Sequence, residues 1–299
     1  MKKSFLLIVN LILIVQLYGQ SYIDKKGNIN LWGALNVEDL SSGQFEEWYN
    51  KNSKDYESEL SPNDGLLLKD TKVKVFLGTW CGDTKFLVPK FIKTWKQMGL
   101  SESNLELIAL HQEGDKYKQG PDEETAGLNI HKVPTMVFER DGKEIGRIVE
   151  RTIFDLDTDI MQIANGLPYE ERYQGVVILD RIMNEMDIDS LFTKENLNTV
   201  YQKIRREVAT SSELNAYGYV LKAQGELRKA EFVFLLNKYM FAYNPNVRDS
   251  YGEILMAQEK WEDAILEYEE VLRLKGIDKN AVKQLTIIYD QIEINNSSE

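Results

Sequence analysis

The stretch from residue 73 to residue 99 constrains the fold of this chain more than any other segment. It begins with a short apolar run, VKVFL at 73–77, which predicts a buried strand. A polar turn that contains Cys81 follows, and apolar residues then recur with helical spacing. We expect Asp83 or Thr84 to cap this helix. The order strand, turn, helix places the only cysteine of the chain near the start of a helix.

Apolar runs after this segment predict a mixed sheet. Three further strands are expected, at 105–110, 133–138 and 143–149. Asp141-Gly142 is typical of the tight turn that joins antiparallel strands, so the last two strands should form a hairpin. A helix is expected at 155–164, and the polar stretch 114–124 is expected to be a surface loop. This order of elements is typical of a mixed α/β fold.

The cysteine turn resembles a known active-site signature. Residues 80–89 read WCGDTKFLVP, and their Trp, Cys, Gly, Lys and Pro keep the spacing of the thioredoxin motif W-C-G-x-C-K-x-x-x-P. Val133-Pro134-Thr135 resembles the cis-proline segment of the same family, which is followed by a hairpin. The resemblance covers about residues 43–167. It implies a thioredoxin-like α/β fold, a mixed sheet flanked by helices, for residues 20–168.

The resemblance also implies which residues form the site. Cys81 would be the nucleophile, and Pro134 would be cis and would face it. The implied catalytic residues are Trp80, Cys81, Gly82, Asp83, Thr84 and Pro134. Val133 and Thr135 would bind the substrate. No cofactor or metal is implied, and one Cys with two His is too few for a four-ligand Cys/His zinc site.

Two positions depart from the thioredoxin pattern. Thr84 stands where thioredoxins have their second Cys, and Val75 stands where they bury an acidic residue, six positions before the first Cys. The second Cys normally releases the mixed disulfide, so ordinary dithiol turnover is not expected. What remains is single-cysteine chemistry, a mixed disulfide or a sulfenic acid at Cys81 that an external thiol resolves. The Thr84 hydroxyl could substitute for the missing thiol by donating a hydrogen bond to the thiolate.

The reactivity of Cys81 separates two hypotheses about function. A helix N-terminus favours the thiolate, whereas the like charge of Asp83 opposes it. In the first hypothesis the protein is a single-cysteine thiol-disulfide oxidoreductase that acts on protein substrates. In the second it is a redox-silent adaptor that binds a protein partner through the groove of the fold and through helical repeats. His111 and His131 are both expected to be packed or solvated rather than part of the site.

Residues 169–299 have a helical pattern that contains an internal repeat. YGYVLKAQ at 217–224 matches YGEILMAQ at 251–258, an offset of 34 residues. The match resembles tetratricopeptide repeats and covers about residues 212–282. Six positions are expected to be buried between helices: Tyr217, Leu221, Ala230, Tyr251, Leu255 and Ala264. The repeats would form either a partner-binding groove or a packing module, and we expect Cys81 to lie away from them.

The N-terminus and the net charge limit location and partners. Lys2 and Lys3 precede a short apolar run at 5–15 that is too short to span a bilayer. This pattern predicts a signal peptide at 1–19 and export, to the periplasm, or membrane anchoring if the signal is not cleaved. The net charge of −12 argues against binding to a nucleic-acid backbone. The expected partners are a protein and an external thiol.

Overall fold

The structure, a computed structural model, describes residues 20–297. The predicted signal peptide, residues 1–19, lies outside the described residues. Residues 20–164 form a mixed sheet with helices and are called the sheet half below. Residues 174–297 are helical and, together with Tyr173 at the N-cap of their first helix, are called the helical half. Of the helices found in these two halves, none is both apolar enough and long enough to cross a membrane.

The sheet has six strands in the order β1–β2–β4–β3–β5–β6. They are β1 (Gln20–Ile23), β2 (Ile29–Leu35), β3 (Thr71–Leu77), β4 (Leu105–Ala109), β5 (Thr135–Arg140) and β6 (Lys143–Val149). β3 and β4 are parallel, and the other neighbouring strands are antiparallel. The four predicted strands and the hairpin at Asp141-Gly142 are confirmed. The hairpin of β1 and β2 was not predicted.

The two faces of the sheet are covered differently. The helices of the sheet half are α1 (Val37–Ser41), α2 (Glu46–Ser53), α3 (Pro62–Gly65), α4 (Gly82–Gln97) and α5 (Leu156–Ala164). Short 3₁₀ turns lie at Gly43–Phe45, Leu66–Leu68, Glu102–Asn104 and Gly114–Lys116. Because strand side chains alternate, Val75 of β3 packs with α4 and α5, whereas Phe76 faces the opposite side. Cys81 packs on this second face.

The start of α4 differs from the expectation. The helix begins at Gly82, and its N-cap is Cys81, which has an extended backbone with φ −86° and ψ 130°. The Cys81 carbonyl accepts a hydrogen bond from the Lys85 amide at 3.1 Å, so the first helical turn closes on the cysteine itself. The prediction that Asp83 or Thr84 caps the helix was therefore wrong, because both residues are already helical.

The helical half consists of eight helices among its described residues. They are α6 (Gln174–Glu185), α7 (Ile188–Leu191), α8 (Lys194–Ile204), α9 (Ser211–Ala223), α10 (Leu227–Met240), α11 (Pro245–Met256), α12 (Trp261–Lys275) and α13 (Lys279–Ser297). α9 packs on α10, and α11 packs on α12 in the equivalent way. All six repeat positions predicted to be buried are buried, which confirms that expectation. The chain thus combines a mixed sheet with a helix-rich C-terminal region.

Candidate active site around Cys81

The backbone holds Cys81 at the junction of β3 and α4. The Cys81 amide donates to the carbonyl of Gly78 at 2.8 Å, which closes a tight turn after the strand. A Cβ atom on Gly78 would lie 2.5 Å from the Trp80 ring, so this turn requires glycine. The Trp80 indole is itself fixed, because its Nε1 donates to the Leu110 carbonyl at 3.2 Å. Cys81 is left half-buried at the edge of the second sheet face.

The proline segment lies against the cysteine. The Val133–Pro134 peptide bond is cis, as the resemblance implies. The Cys81 thiol donates to the Val133 carbonyl oxygen, with Sγ and O separated by 3.2 Å. The side chains of Val133 and Thr135 are buried, and the Thr135 hydroxyl donates to the Lys132 carbonyl at 2.8 Å. A substrate would therefore meet the backbone of this segment rather than these two side chains.

The two departures from the thioredoxin pattern are both buried beneath the site. The Thr84 hydroxyl accepts a hydrogen bond from the Gly78 amide at 3.2 Å. The predicted bond from Thr84 to the Cys81 sulfur is not formed, because the hydroxyl faces the turn and the thiol uses Val133 instead. Val75 is fully buried in the core of the sheet half. The strand that leads to Cys81 thus supplies no ionisable group at that position.

Asp83 is neutralised by a cation that the sequence did not single out. Arg151, which follows β6, donates from Nε to Asp83 Oδ1 at 2.9 Å. The guanidinium is 67% exposed, so the pair is partly screened by water. The like charge that opposes a thiolate at Cys81 is nevertheless balanced locally. The spacing of 68 residues between the two partners explains why sequence patterns missed it.

A lysine and a tyrosine from the stretch 114–124 also reach the site. Lys118 is only 4% exposed, and its Nζ donates to the His131 carbonyl at 2.6 Å. Burial and the nearby Lys132 lower the pKa of Lys118 to about 7. Burial, helped by negative charge at Cys81, raises the pKa of Tyr117 to about 12. The stretch is a loop with an exposed start at Gly114–Lys116, as predicted, but Tyr117 and Lys118 within it pack inward, which its polar composition did not indicate.

The helical half holds this region in place. The His131 ring lies 5.6 Å from the Tyr173 ring and 6.0 Å from the Tyr217 ring, measured between centroids. The Tyr117 ring meets Tyr219 of α9 edge-on at 6.1 Å. Segments next to Cys81 therefore contact the helical half. That Cys81 itself lies away from the packing between the helices stays a prediction.

The two histidines are packed, as expected. The His111 ring stacks on Tyr22 with a centroid distance of 4.0 Å. Burial lowers the pKa of His131 to about 3, so its ring is neutral at physiological pH. Its Nδ1 lies 3.1 Å from the Asn129 carbonyl, and this contact assigns the ring proton to Nδ1. Residues 20–297 contain no cluster of three or more His, Cys, Asp or Glu side chains placed to hold a metal ion.

A polar cleft of about 500 Å³ lies on the other side of Trp80. It is bounded by the hairpin of β1 and β2, by the start of α4 and by Gln112 after β4. Lys85 lines it beside Trp80, and Asn30 and Thr79 hydrogen-bond to each other within it at 3.2 Å. The hairpin that builds this cleft was not predicted from the sequence.

Comparison with known proteins agrees with the sheet half only. Thioredoxin-2 of Saccharomyces cerevisiae is 28% identical to this chain over 99 residues, which is 33% of this chain and 81% of the yeast protein. No protein-family model matches the chain. No solved structure matches it either. The distant similarity and the mixed sheet together fit a thioredoxin-like N-terminal half with, at most, a thioredoxin-like redox function.

Proposed function

We propose that this protein carries out thiol–disulfide exchange on protein substrates through the single thiol of Cys81. The Cys81 thiolate attacks one sulfur of a substrate disulfide, and the S–S bond breaks as the new Cys81–substrate disulfide forms. The other substrate sulfur leaves as a thiolate. A thiolate from an external thiol then attacks the substrate sulfur of the mixed disulfide, a disulfide between the external thiol and the substrate forms, and Cys81 leaves as a thiolate, so electrons balance across the two steps.

The observation that carries this proposal is the position of the cysteine. Cys81 is the N-cap of α4, where unpaired backbone N–H groups favour a thiolate, and its sulfur touches the proline segment at Val133. Thr84 occupies the resolving position with a buried hydroxyl that is already bonded to Gly78. An internal second step is therefore missing, and this supports a need for an external thiol.

A redox-silent adaptor is the second candidate function, and the helical half favours it. Two equivalent helix pairs, α9 with α10 and α11 with α12, form in the helical half, and α9 contacts the turn at Gly114–Lys116 next to the site. Such pairs are a common platform for binding a partner protein. Export to the periplasm is part of our proposal for either function and rests on residues 1–19.

The test is the reaction of the full chain with 5,5′-dithiobis(2-nitrobenzoic acid). We expect one equivalent of released thiolate per protein, a rate above that of an unstructured Trp-Cys-Gly peptide, and a stable adduct until an external thiol is added. Cys81→Ser is the matched control and should release none. A rate at or below that of the peptide would favour the adaptor.

A further inference from the structure

Lys118 is a buried cation that neither the motif nor the proposed chemistry uses. We propose that it is a positioning residue for Cys81, whose positive charge, held on the neighbouring loop, favours the thiolate and so sets its rate of reaction. This inference rests on the proposed function, because it concerns the reactivity of the same thiol. The following contacts carry it.

Lys118 and Cys81 are attached to the same short loop. The lysine Nζ donates to the carbonyl of His131 at 2.6 Å, and the cysteine Sγ donates to the carbonyl of Val133 at 3.2 Å. These two carbonyls lie two positions apart in the chain, with Lys132 between them. The loop continues into the cis bond at Pro134, and the amide of Glu150 donates to the Pro134 carbonyl at 2.7 Å. The ammonium and the sulfur are thus fixed relative to each other through one anchored segment.

The ammonium is shielded from water. The Tyr117 ring lies over it, with Nζ 4.6 Å from the ring centroid, and Tyr117 in turn packs against Tyr219 of the helical half. The backbone is held as well, since the Lys118 amide donates to the His111 carbonyl at 2.8 Å. Charge interactions are stronger where water is excluded, so a cation here acts on Cys81 more strongly than an exposed one.

The charged groups around Lys118 are few, and they differ in sign. Lys132 opposes its charge, whereas a thiolate at Cys81 and the carboxylate of Glu150 favour it and raise its pKa. His131, whose carbonyl binds the ammonium, has a neutral ring because burial lowers its pKa to about 3. Charge coupling is reciprocal, so a thiolate that favours the lysine cation is itself favoured to the same extent.

Lys118 is a buried cation that interacts with Cys81. Arg151 also interacts with Cys81, but its side chain is largely exposed and is bonded to Asp83. Val75 occupies the strand position of the acidic residue that the thioredoxin pattern buries. The thioredoxin pattern buries a negative charge on the strand before the cysteine. In this chain Lys118 instead provides a buried positive charge from the loop after β4.

The experiment measures the rate of Cys81 alkylation by iodoacetamide in the full chain between pH 6 and pH 9. Because the pKa of Lys118 is about 7, its ammonium is charged at pH 6. Lys118→Met should therefore slow alkylation several-fold at pH 6, and the difference from wild type should shrink as the pH rises above 7. Lys118→Arg, which keeps the charge, should restore most of the rate. Lys116→Met removes an exposed charge from the same loop and should leave the rate and the profile unchanged.

Two further measurements keep the proposal testable if Lys118→Met does not fold. Lys118→Gln keeps an N–H donor without the charge and should also slow alkylation. In ¹⁵N-lysine-labelled protein, Cys81→Ser should shift the titration of Lys118 to lower pH, since the thiolate is removed. Unchanged alkylation in the folded lysine variants, or an unchanged Lys118 titration in Cys81→Ser, would overturn the proposal.

These outcomes are distinct from failure of the proposed function. If wild-type Cys81 reacts no faster than a free peptide thiol, redox exchange is the claim that fails. If it reacts quickly and Lys118→Met reacts equally quickly, only the role of the lysine is wrong.

Discussion

Two single residues distinguish the surroundings of Cys81 from the thioredoxin pattern. Thr84 fills the resolving position with a hydroxyl that stabilises the turn at Gly78 rather than the sulfur. Val75 fills the position of the buried acid with an apolar side chain. Both residues suit the fold: the Thr84 hydroxyl has a hydrogen-bond partner, and the Val75 side chain packs in the apolar core. The site therefore keeps the shape of a dithiol motif while retaining one of its two thiols.

Restoring the second thiol should restore an internal second step. Thr84→Cys places a thiol three residues after Cys81, on the same side of the first helical turn. With an excess of a small disulfide, we expect two equivalents of released thiolate per protein, because the new thiol displaces the first adduct and forms an internal disulfide. Wild type should release one. The Gly78 amide loses its oxygen acceptor, so the free energy of unfolding should fall by about 1 kcal/mol.

Thr84→Ser is the matched control for this experiment. It keeps the hydroxyl that accepts from Gly78 and adds no thiol, so it should release one equivalent as wild type does. A single equivalent from Thr84→Cys would mean that the buried position cannot reach the adduct on Cys81.

At the scale of helices, the close approach of each pair depends on a glycine. A Cβ atom on Gly218 of α9 would lie 2.7 Å from the Phe234 ring of α10. Gly252 of α11 meets Tyr268 of α12 in the same manner, at 2.9 Å. The repeated YG pairs in the sequence thus correspond to repeated helix contacts. This equivalence supports the repeat hypothesis at the level of packing, while membership of the tetratricopeptide family stays a prediction.

Gly218→Ala should destabilise the protein although alanine favours a helix. The helix propensity of alanine offers up to about 1 kcal/mol, whereas overpacking against a fully buried ring costs about 1–3 kcal/mol. Urea denaturation should therefore show a lower free energy of unfolding. In a double-mutant cycle with Phe234→Leu, the cost of Gly218→Ala should shrink, because the smaller side chain leaves room for the methyl group. A more stable Gly218→Ala variant would show that the ring moves aside freely.

At the scale of the whole molecule, the helical half contacts the sheet half on the side of the candidate active site. Tyr173 and Tyr217 enclose His131, and the Tyr173 hydroxyl donates to the carboxylate of Glu150. Tyr219 contacts the segment that carries Lys118. The second sheet face, which has no helix of the sheet half over its Cys81 end, is thus completed by distant parts of the chain.

The burial of His131 at this contact should make the free energy of unfolding depend on pH in the mildly acidic range. His131 has a pKa of about 3 when folded and about 6.5 when unfolded, so below pH 6.5 the unfolded state binds one more proton. Stability should therefore be lost as the pH falls, by about 2 kcal/mol between pH 7 and pH 5. Urea denaturation at the two pH values measures the loss.

His131→Asn should remove most of this pH dependence, because its amide can donate to the Asn129 carbonyl without titrating. His111→Asn serves as the control outside this contact, and most of the loss should remain in it, since His111 is less buried. Equal stability of the wild type at pH 7 and pH 5 would contradict burial of a neutral His131 between the halves.

The sequence by itself determined the features that depend on local patterns. Alternation and turn chemistry placed β3 to β6 and the hairpin at Asp141-Gly142, and the 34-residue offset identified the buried positions of the helix pairs. The resemblance to the thioredoxin motif implied the cis bond at Pro134, which the structure shows. The predictions of strands, turns and helix positions succeed because each of these elements is specified by residues close together in the chain.

Only the tertiary structure decided what surrounds the sulfur. Lys118 lies in a polar stretch that is typical of a surface loop, yet it is buried, and its neighbour Tyr117 contacts Tyr219 from a distant part of the chain. Arg151 reaches Asp83 across 68 residues in the same way. Burial and charge pairing depend on which distant segments of the chain pack together, and a local sequence pattern does not specify that packing.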